Sequence, residues 1–159
     1  MDLASTIKTG NDTVWENTNT FYYRGKFGET DKSFTPPTMD SMPELAQLAD
    51  WFLPNGIGYR FSKIVGDNNG IHYFAPYARM FGFKRDFAQP ILVLANSIRC
   101  LPSLDQDMPL QLDVVLKGPV YYNNNILIKR ASKKNSHRFD IYCGEETRPS
   151  ISCNLKNLS

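Results

Sequence analysis

Four stretches in the C-terminal third of this chain alternate apolar and more polar residues, and one helix-patterned segment precedes them. Leu110, Leu112, Val114 and Leu116 repeat at every second position, as do Ile126 and Ile128, then Phe139, Ile141 and Cys143, and finally Ile151, Cys153 and Leu155. A period of two marks strands with one face buried. Breaks at Gly118-Pro119, Tyr122-Asn123-Asn124-Asn125, Lys133-Lys134-Asn135-Ser136 and Gly144-Glu145-Glu146 predict an antiparallel meander. Upstream, Ile91, Leu94, Ala95, Ile98 and Leu101 recur at helical spacing. Pro90 suits the first helical position, because it has no amide to leave unsatisfied there. One helix followed by several antiparallel strands is an α+β layout in which the sheet can wrap the helix.

Ahead of that helix, Gly66-Asp67-Asn68-Asn69-Gly70-Ile71-His72 places a carboxylate and one of only two histidines five positions apart. Asn and Gly tolerate left-handed backbone angles, so such a turn can fold both side chains toward one point, where a single water touches both. An Asp-Asn-Asn-Gly string alone is more often a solvated surface turn. The residues that follow change that balance. Tyr73 to Phe83 reads as a short helix with Pro76 in its first turn and Gly82 as its stop, and Phe87-Ala88-Gln89-Pro90-Ile91 then opens the longer helix.

This order of parts resembles the (R)-specific enoyl-CoA hydratases of the MaoC-like hotdog family, whose signature runs Ser-Gly-Asp-x-Asn-Pro-Ile/Leu-His, then a short Ala-containing helix, Gly-Phe, and an Ala-His-Gly-Met-like helix start. The matching residues are Val65-Gly66-Asp67-Asn68-Asn69-Gly70-Ile71-His72, Ala78, Gly82-Phe83 and Ala88-Gln89-Pro90-Ile91, spanning about half the chain. Val65 stands for the usual Ser, Gly70 for the usual Pro, and Gln89-Pro90 for the usual His-Gly. The resemblance implies a hotdog fold and a lyase that converts trans-2-enoyl-CoA to (3R)-3-hydroxyacyl-CoA, with a place in fatty acid metabolism and no cofactor beyond the thioester. It assigns Asp67 and His72 to holding and activating the added water, while Tyr73, Phe74 and Phe83 are aromatic candidates for acyl contact and Asn69, Pro90 and Ile91 complete the expected substrate site. The thioester oxygen gathers negative charge during such a reaction and needs a preorganised donor, which a helix N-terminus supplies. Pro90 has no amide to give, so within this helix start the donor falls to Ile91.

At 159 residues the chain suffices for one domain with a real core, and its formal charge of +2 is too nearly balanced for a dedicated nucleic-acid binder. No long apolar run suggests a membrane span, and Met1-Asp2-Leu3-Ala4-Ser5 lacks the regions of a signal peptide, so a cytoplasmic protein is expected. Cys100, Cys143 and Cys153 follow no metal-ligand spacing and read as reduced core residues. Ala4 to Lys8 and Thr13 to Arg24, joined by Thr9-Gly10-Asn11-Asp12, read as a hairpin within residues 1–28. Residues 29–42, with Pro36-Pro37, read as a linker, and residues 43–159 as the hotdog domain, entered by a helix from Pro43 to Phe52. Val14-Trp15-Glu16, Arg24-Gly25 and Trp51-Phe52-Leu53-Pro54 resemble the junction of larger double-hotdog relatives. That resemblance implies a second repeat with the tail of a first, and hence homodimerisation or pairing with another hotdog repeat to cover open strand edges.

Other residues carry weaker signals. Lys129-Arg130 and Lys133-Lys134, with Arg138, can receive the phosphates of coenzyme A, although solvated hairpin charge is the commoner meaning. His137 in the same turn has no carboxylate at suggestive spacing and reads as a surface histidine. Gly56-Ile57-Gly58 lacks the third glycine of a dinucleotide loop, two ligands fall short of a metal site, and no Gly-x-Ser-x-Gly elbow is present. Two classes remain open: an acyl-thioester hydratase or dehydratase, and a noncatalytic hotdog module that binds acyl thioesters or supports a partner repeat. Thioesterase chemistry on the same fold is a third, separable by release of free thiol.

Overall fold

Leu92, Val93 and Leu94 lie in consecutive positions of the helix Pro90–Ile98 and are all buried, so this element presents a broad apolar flank to whatever packs on it. In the computed structural model, which describes residues 1–21, 39, 45–102, 107–133 and 136–158, a five-stranded antiparallel sheet supplies the other side. The strands are β1 (Asp2–Thr9), β2 (Asp12–Thr20), β3 (Ala46–Leu53), β4 (Leu110–Leu116), β5 (Asn124–Lys133), β6 (Ser136–Cys143) and β7 (Ile151–Asn157). Three helices, α1 (Ile57–Val65), α2 (Ala75–Met80) and α3 (Pro90–Ile98), and a 3-10 turn at Gly70–His72 lie between β3 and β4. The chain divides into two compact units, Met1–Thr38 and Met39–Ser159.

In the second unit the strand order is β3-β5-β6-β7-β4. The alternating residues face their counterparts across it: Trp51 opposite Ile126, Ile128 opposite Ile141, Ile141 opposite Ile151, and Val114 opposite Cys153. Leu53, Ile126, Ile128, Phe139, Ile141, Ile151 and Cys153 are essentially inaccessible and cluster with the α3 residues Leu92, Val93 and Leu94. Fully burying each large aliphatic side chain contributes about 1.5–3 kcal/mol, so this layer carries much of the stability.

Several expectations are corrected. The four C-terminal strands are not one meander, because β4 pairs with β7 at the sheet edge rather than with β5. On that edge strand Leu110, Leu112 and Leu116 are exposed while Val114 packs on the core. The expected stripe holds in part: Leu94, Ile98 and Leu101 pack on the core, but Leu92 and Val93 join them, Ile91 (58%) and Ala95 are exposed, and the helix ends at Ile98 instead of Leu101. The segment expected as a helix from Pro43 to Phe52 is strand β3 from Ala46 onward. Its Ala, Gln and Leu favour a helix locally, but pairing with β5 buries Leu53 and packs Ala49 and Trp51 on the core. The helix α1 went unanticipated. It begins after Gly56 (φ 81°), whose amide donates to Asn55 Oδ1 at 3.0 Å, and stops at Gly66 (φ 73°).

Considered by itself, the described part of the first unit, residues 1–21, is a hairpin, with β1 and β2 antiparallel from Asp2–Thr20 to Thr9–Asp12. Leu3, Ile7, Val14 and Trp15 on it are exposed. Arg24-Gly25 and nearly all of the expected linker lie outside the described residues. Among the described residues, no helix is long and apolar enough to cross a membrane.

His137 is not at the surface. It shares the core-facing side of β6 with Phe139 and Ile141 and is 7% exposed, and burial together with the Arg130 charge lowers its imidazole pKa. Burial has the opposite effect on the thiols, raising Cys143 and pushing Cys153 up to about 12. A thiol whose pKa is raised on folding contributes stability below its unfolded value, and this is lost as pH rises from about 9 toward the folded value. The melting temperature is therefore expected to fall over that alkaline range, and Cys153→Ala to flatten the fall. A fall of equal slope in the variant would remove Cys153 from the account.

Candidate active site

The turn bearing Asp67 and His72 is organised by its own polar side chains. Asp67 Oδ1 accepts the Asn69 amide at 3.1 Å, and Asn69 Oδ1 accepts the Ile71 amide at 3.3 Å, so two local bonds initiate the 3-10 turn. Gly70 is needed where it stands, since a Cβ would come within 2.9 Å of Tyr77 Cδ1. With one carboxylate oxygen committed to the turn, the other faces the histidine: Asp67 Oδ2 lies 3.6 Å from His72 Nε2. That separation is too long for a direct hydrogen bond but suits a charged pair when the imidazole is protonated. The Asp67 side chain is 38% exposed and that of His72 only 8%, so solvent reaches the pair from the carboxylate side.

The histidine tautomer follows from its other nitrogen. Nδ1 lies 2.9 Å from the Phe87 carbonyl oxygen, which can only accept, so Nδ1 donates its proton there. In the neutral ring the Nε2 lone pair is left toward Asp67. The Phe87 ring meets the imidazole edge-on at 5.1 Å.

The backbone behind the pair is pinned by residues the sequence reading did not single out. Phe87 donates its amide to Ile71 O at 3.3 Å, and Tyr122 donates its hydroxyl to His72 O at 2.7 Å. Tyr122 is buried, and burial with the nearby Asp86 charge raises its phenol pKa, keeping the donor protonated. This contact passes directly over Gly58: a Cβ there would overlap the Tyr122 hydroxyl and stand 2.6 Å from His72 O. The Gly58 carbonyl in turn accepts from Gln89 Nε2 at 3.1 Å, and the same nitrogen reaches Ser62 Oγ at 2.8 Å. Gln89 is the N-cap residue of α3, so α1, the Asp67–His72 turn and the start of α3 form one hydrogen-bonded unit. Pro90 is the first helical residue, as expected, and the Ile91 amide lies in the first turn, where the helix itself offers no acceptor.

Two cavities border the turn. An aromatic one of about 720 Å³ is lined by Asn69, Ile71, Tyr73, Phe74, Tyr77 and Phe83 among others. A more polar one of about 480 Å³ is lined by His72, Tyr59, Tyr73, Arg79, Arg85 and Tyr122 among others. Of the expected site residues, Asn69, Tyr73, Phe74 and Phe83 line the first, His72 lines the second, and Tyr73 belongs to both. Asp67 joins through its contact with His72, whereas Pro90 and Ile91 line neither cavity.

Of the basic residues in the β5–β6 hairpin, Lys129, Arg130 and Arg138 line neither cavity. Lys129 lies over the Tyr142 ring at 4.9 Å, and Arg138 Nη1 pairs with the buried Asp140 carboxylate at 2.9 Å. Lys134 and the Lys133 side chain lie outside the described residues. Successive residues of a strand face opposite sides of a sheet, which separates cations that are neighbours in sequence. No group of three His, Cys, Asp or Glu side chains among the described residues could hold a metal ion.

The architecture has close counterparts among solved structures. HtdX from Mycobacterium tuberculosis superposes with a TM-score of 0.73 at 20% identity, over 99% of this chain and 61% of that one. An (R)-hydratase from A. caviae involved in PHA biosynthesis superposes at 0.56 and 14% identity, over 72% of this chain and 95% of the other. The fold is a hotdog. The (R)-hydratase PhaJ1 from Pseudomonas aeruginosa shares it, with a TM-score of 0.53, 17% identity, and 72% and 79% coverage. No protein-family profile matches the sequence, and no curated protein matches it. This hotdog chain spans about three-fifths of the length of the HtdX chain.

Proposed function

We propose that this hotdog protein hydrates trans-2-enoyl thioesters to (3R)-3-hydroxyacyl thioesters, or runs the reverse dehydration, as a MaoC-like (R)-specific hydratase. The observation carrying this reading is the Asp67–His72 pair, with Nδ1 of the histidine tied to Phe87 O and Nε2 left toward the carboxylate at 3.6 Å. A water held between Asp67 Oδ2 and His72 Nε2 loses a proton to one of them as its oxygen bonds to C3. The pair must enter the reaction carrying one proton, which its other member delivers to C2 on the same face, and passage of the captured proton between the two restores the pair when product leaves. Water is a poor nucleophile near neutral pH, so both transfers need fixed partners. The developing charge on the thioester oxygen takes the Ile91 amide at the start of α3, with the helix dipole behind it. The acyl chain lies against Tyr73, Phe74 and Phe83 in the aromatic cavity. Asn69 acts through the turn it caps, and the chemistry requires no cofactor beyond the substrate.

The similarity to (R)-hydratases supports the same reading at the level of reaction class. The length relation to HtdX supports assigning residues 43–159 to one hotdog repeat and residues 1–28 to the end of a preceding one. A homodimer, or pairing with such a repeat, would cover the open edges at β3 and β4 and complete the acyl tunnel. The three unpaired thiols suit a reducing, cytoplasmic setting.

Chiral analysis of the product of a trans-2-enoyl-CoA incubation, run beside an assay for free thiol, tests this assignment. A predominantly (3R)-3-hydroxyacyl product with no thiol release is expected. An (S) product would contradict the assigned face of addition, and thiol release without hydration would make the protein a thioesterase.

A further inference from the structure

The polar cavity beside His72 is lined by two arginines that the hydration chemistry does not use. Arg79 lies on α2 and donates from Nε to Lys84 O at 3.3 Å. Arg85 lies beyond α2, with its Nε 3.5 Å from Asp86 Oδ1. The contacts of both run through their ε nitrogens, with the Arg85 charge also acting on the Tyr122 phenol. Asp86 is buried and offsets one of the two cations, leaving the ionisable lining of this cavity with one net positive charge when His72 is neutral. The aromatic cavity has no charged residue in its lining. Tyr73, immediately after His72, is the residue common to both, with its ring edge-on to Tyr59 at 5.6 Å on the polar side.

The site thus offers an uncharged aromatic groove and a cationic groove that meet at Tyr73, with His72 in the wall of the cationic one. We propose that Arg79 and Arg85 form a phosphate seat for the phosphopantetheine arm of the thioester, with the acyl chain extending past Tyr73 into the aromatic cavity. A guanidinium group can bind phosphate oxygens with two parallel hydrogen bonds. This inference deepens the acyl-thioester reading and rests on it. It moves carrier recognition away from the β5–β6 cations and onto the α2 segment.

The test compares one saturated acyl group on three carriers: N-acetylcysteamine, which has no phosphate, 4′-phosphopantetheine, which has one, and coenzyme A. Calorimetric affinities are measured for the wild type, for Arg79→Gln, and for Arg85→Gln combined with Asp86→Asn so that no buried carboxylate loses its cation. Lys156→Gln on β7 is the charge control. Each Arg variant is expected to weaken the coenzyme A thioester about 10- to 100-fold, the effect of losing one charge-assisted contact set, with a much smaller change for the N-acetylcysteamine thioester. Weakening already seen with the phosphopantetheine thioester supports a seat for the arm's 4′-phosphate, and weakening seen only with coenzyme A overturns that assignment in favour of the nucleotide phosphates. Unchanged coenzyme A affinity, or equal weakening on all three carriers, overturns the proposal. Because saturated thioesters report binding alone, a phosphate effect in a protein that fails to hydrate the matching enoyl thioesters would refute the hydratase reading and leave the seat standing.

Discussion

Asp67→Asn is expected to reduce hydration of a trans-2-enoyl thioester by about 10²- to 10⁴-fold, the range for loss of a positioned acid–base group. The fold should remain, because an asparagine Oδ1 still accepts the Asn69 amide and only the charge opposite His72 is lost. His72→Ala should lower the rate at least as far, and it also removes the donor to Phe87 O, whose loss costs about 1–3 kcal/mol where the carbonyl stays buried. The two substitutions thus differ in kind. Steady-state rates beside melting temperatures separate them: Asp67→Asn should be slow at near-native stability, His72→Ala slow and less stable. An Asp67→Asn protein within a few-fold of wild-type rate would remove the carboxylate from the mechanism.

The second large effect is expected at Gly58, which carries no chemistry of its own. Gly58→Ala places a methyl group against the Tyr122 hydroxyl and within 2.6 Å of His72 O, in a place where tyrosine and turn backbone already meet. Overpacking typically costs about 1–3 kcal/mol, and displacing the Tyr122 hydroxyl adds the loss of its bond to His72 O. Stability and turnover should fall together, because the same displacement shifts the histidine. Tyr122→Phe loses the hydrogen bond while keeping the ring, and is expected to be the milder change. Combined with Gly58→Ala it should restore part of the stability, since the phenol oxygen is gone while the His72 carbonyl still obstructs. A double-mutant cycle by thermal melting reads this coupling, and strictly additive losses would show that the methyl group and the hydroxyl do not compete for space.

The sequence revealed the pair and much of the sheet because both are encoded locally. Asp67 and His72 sit in one turn whose Asx bonds run between neighbours, and β5, β6 and β7 each carry their own alternation. Pro90 marked the start of α3 by its missing amide. What stayed hidden depends on distant partners. The helical propensity of Ala46 to Leu48 is overridden by pairing with β5, and the edge position of β4 is set by β7, more than thirty residues later. His137 looked like a hairpin residue until its register put it beside Phe139 and Ile141 on the buried side. The clamp behind His72 draws Gly58, Phe87, Gln89 and Tyr122 from separate elements, and only Gly56-Ile57-Gly58 gave a hint, as glycines crowded where a backbone is closely approached. The Arg79 and Arg85 cavity likewise forms only when α2 and the loop after it fold back toward Tyr59 and Tyr122.

The central claim is that Asp67 and His72 add water across a conjugated thioester. Its most direct test follows the ultraviolet absorbance of the enoyl thioester when purified protein is mixed with short and medium trans-2-enoyl-CoA. The account predicts a protein-dependent loss of absorbance that Asp67→Asn and His72→Ala each nearly abolish. A folded wild-type protein that leaves the absorbance unchanged across these chain lengths would contradict it, and would make this hotdog an acyl-thioester-binding or assembly module instead.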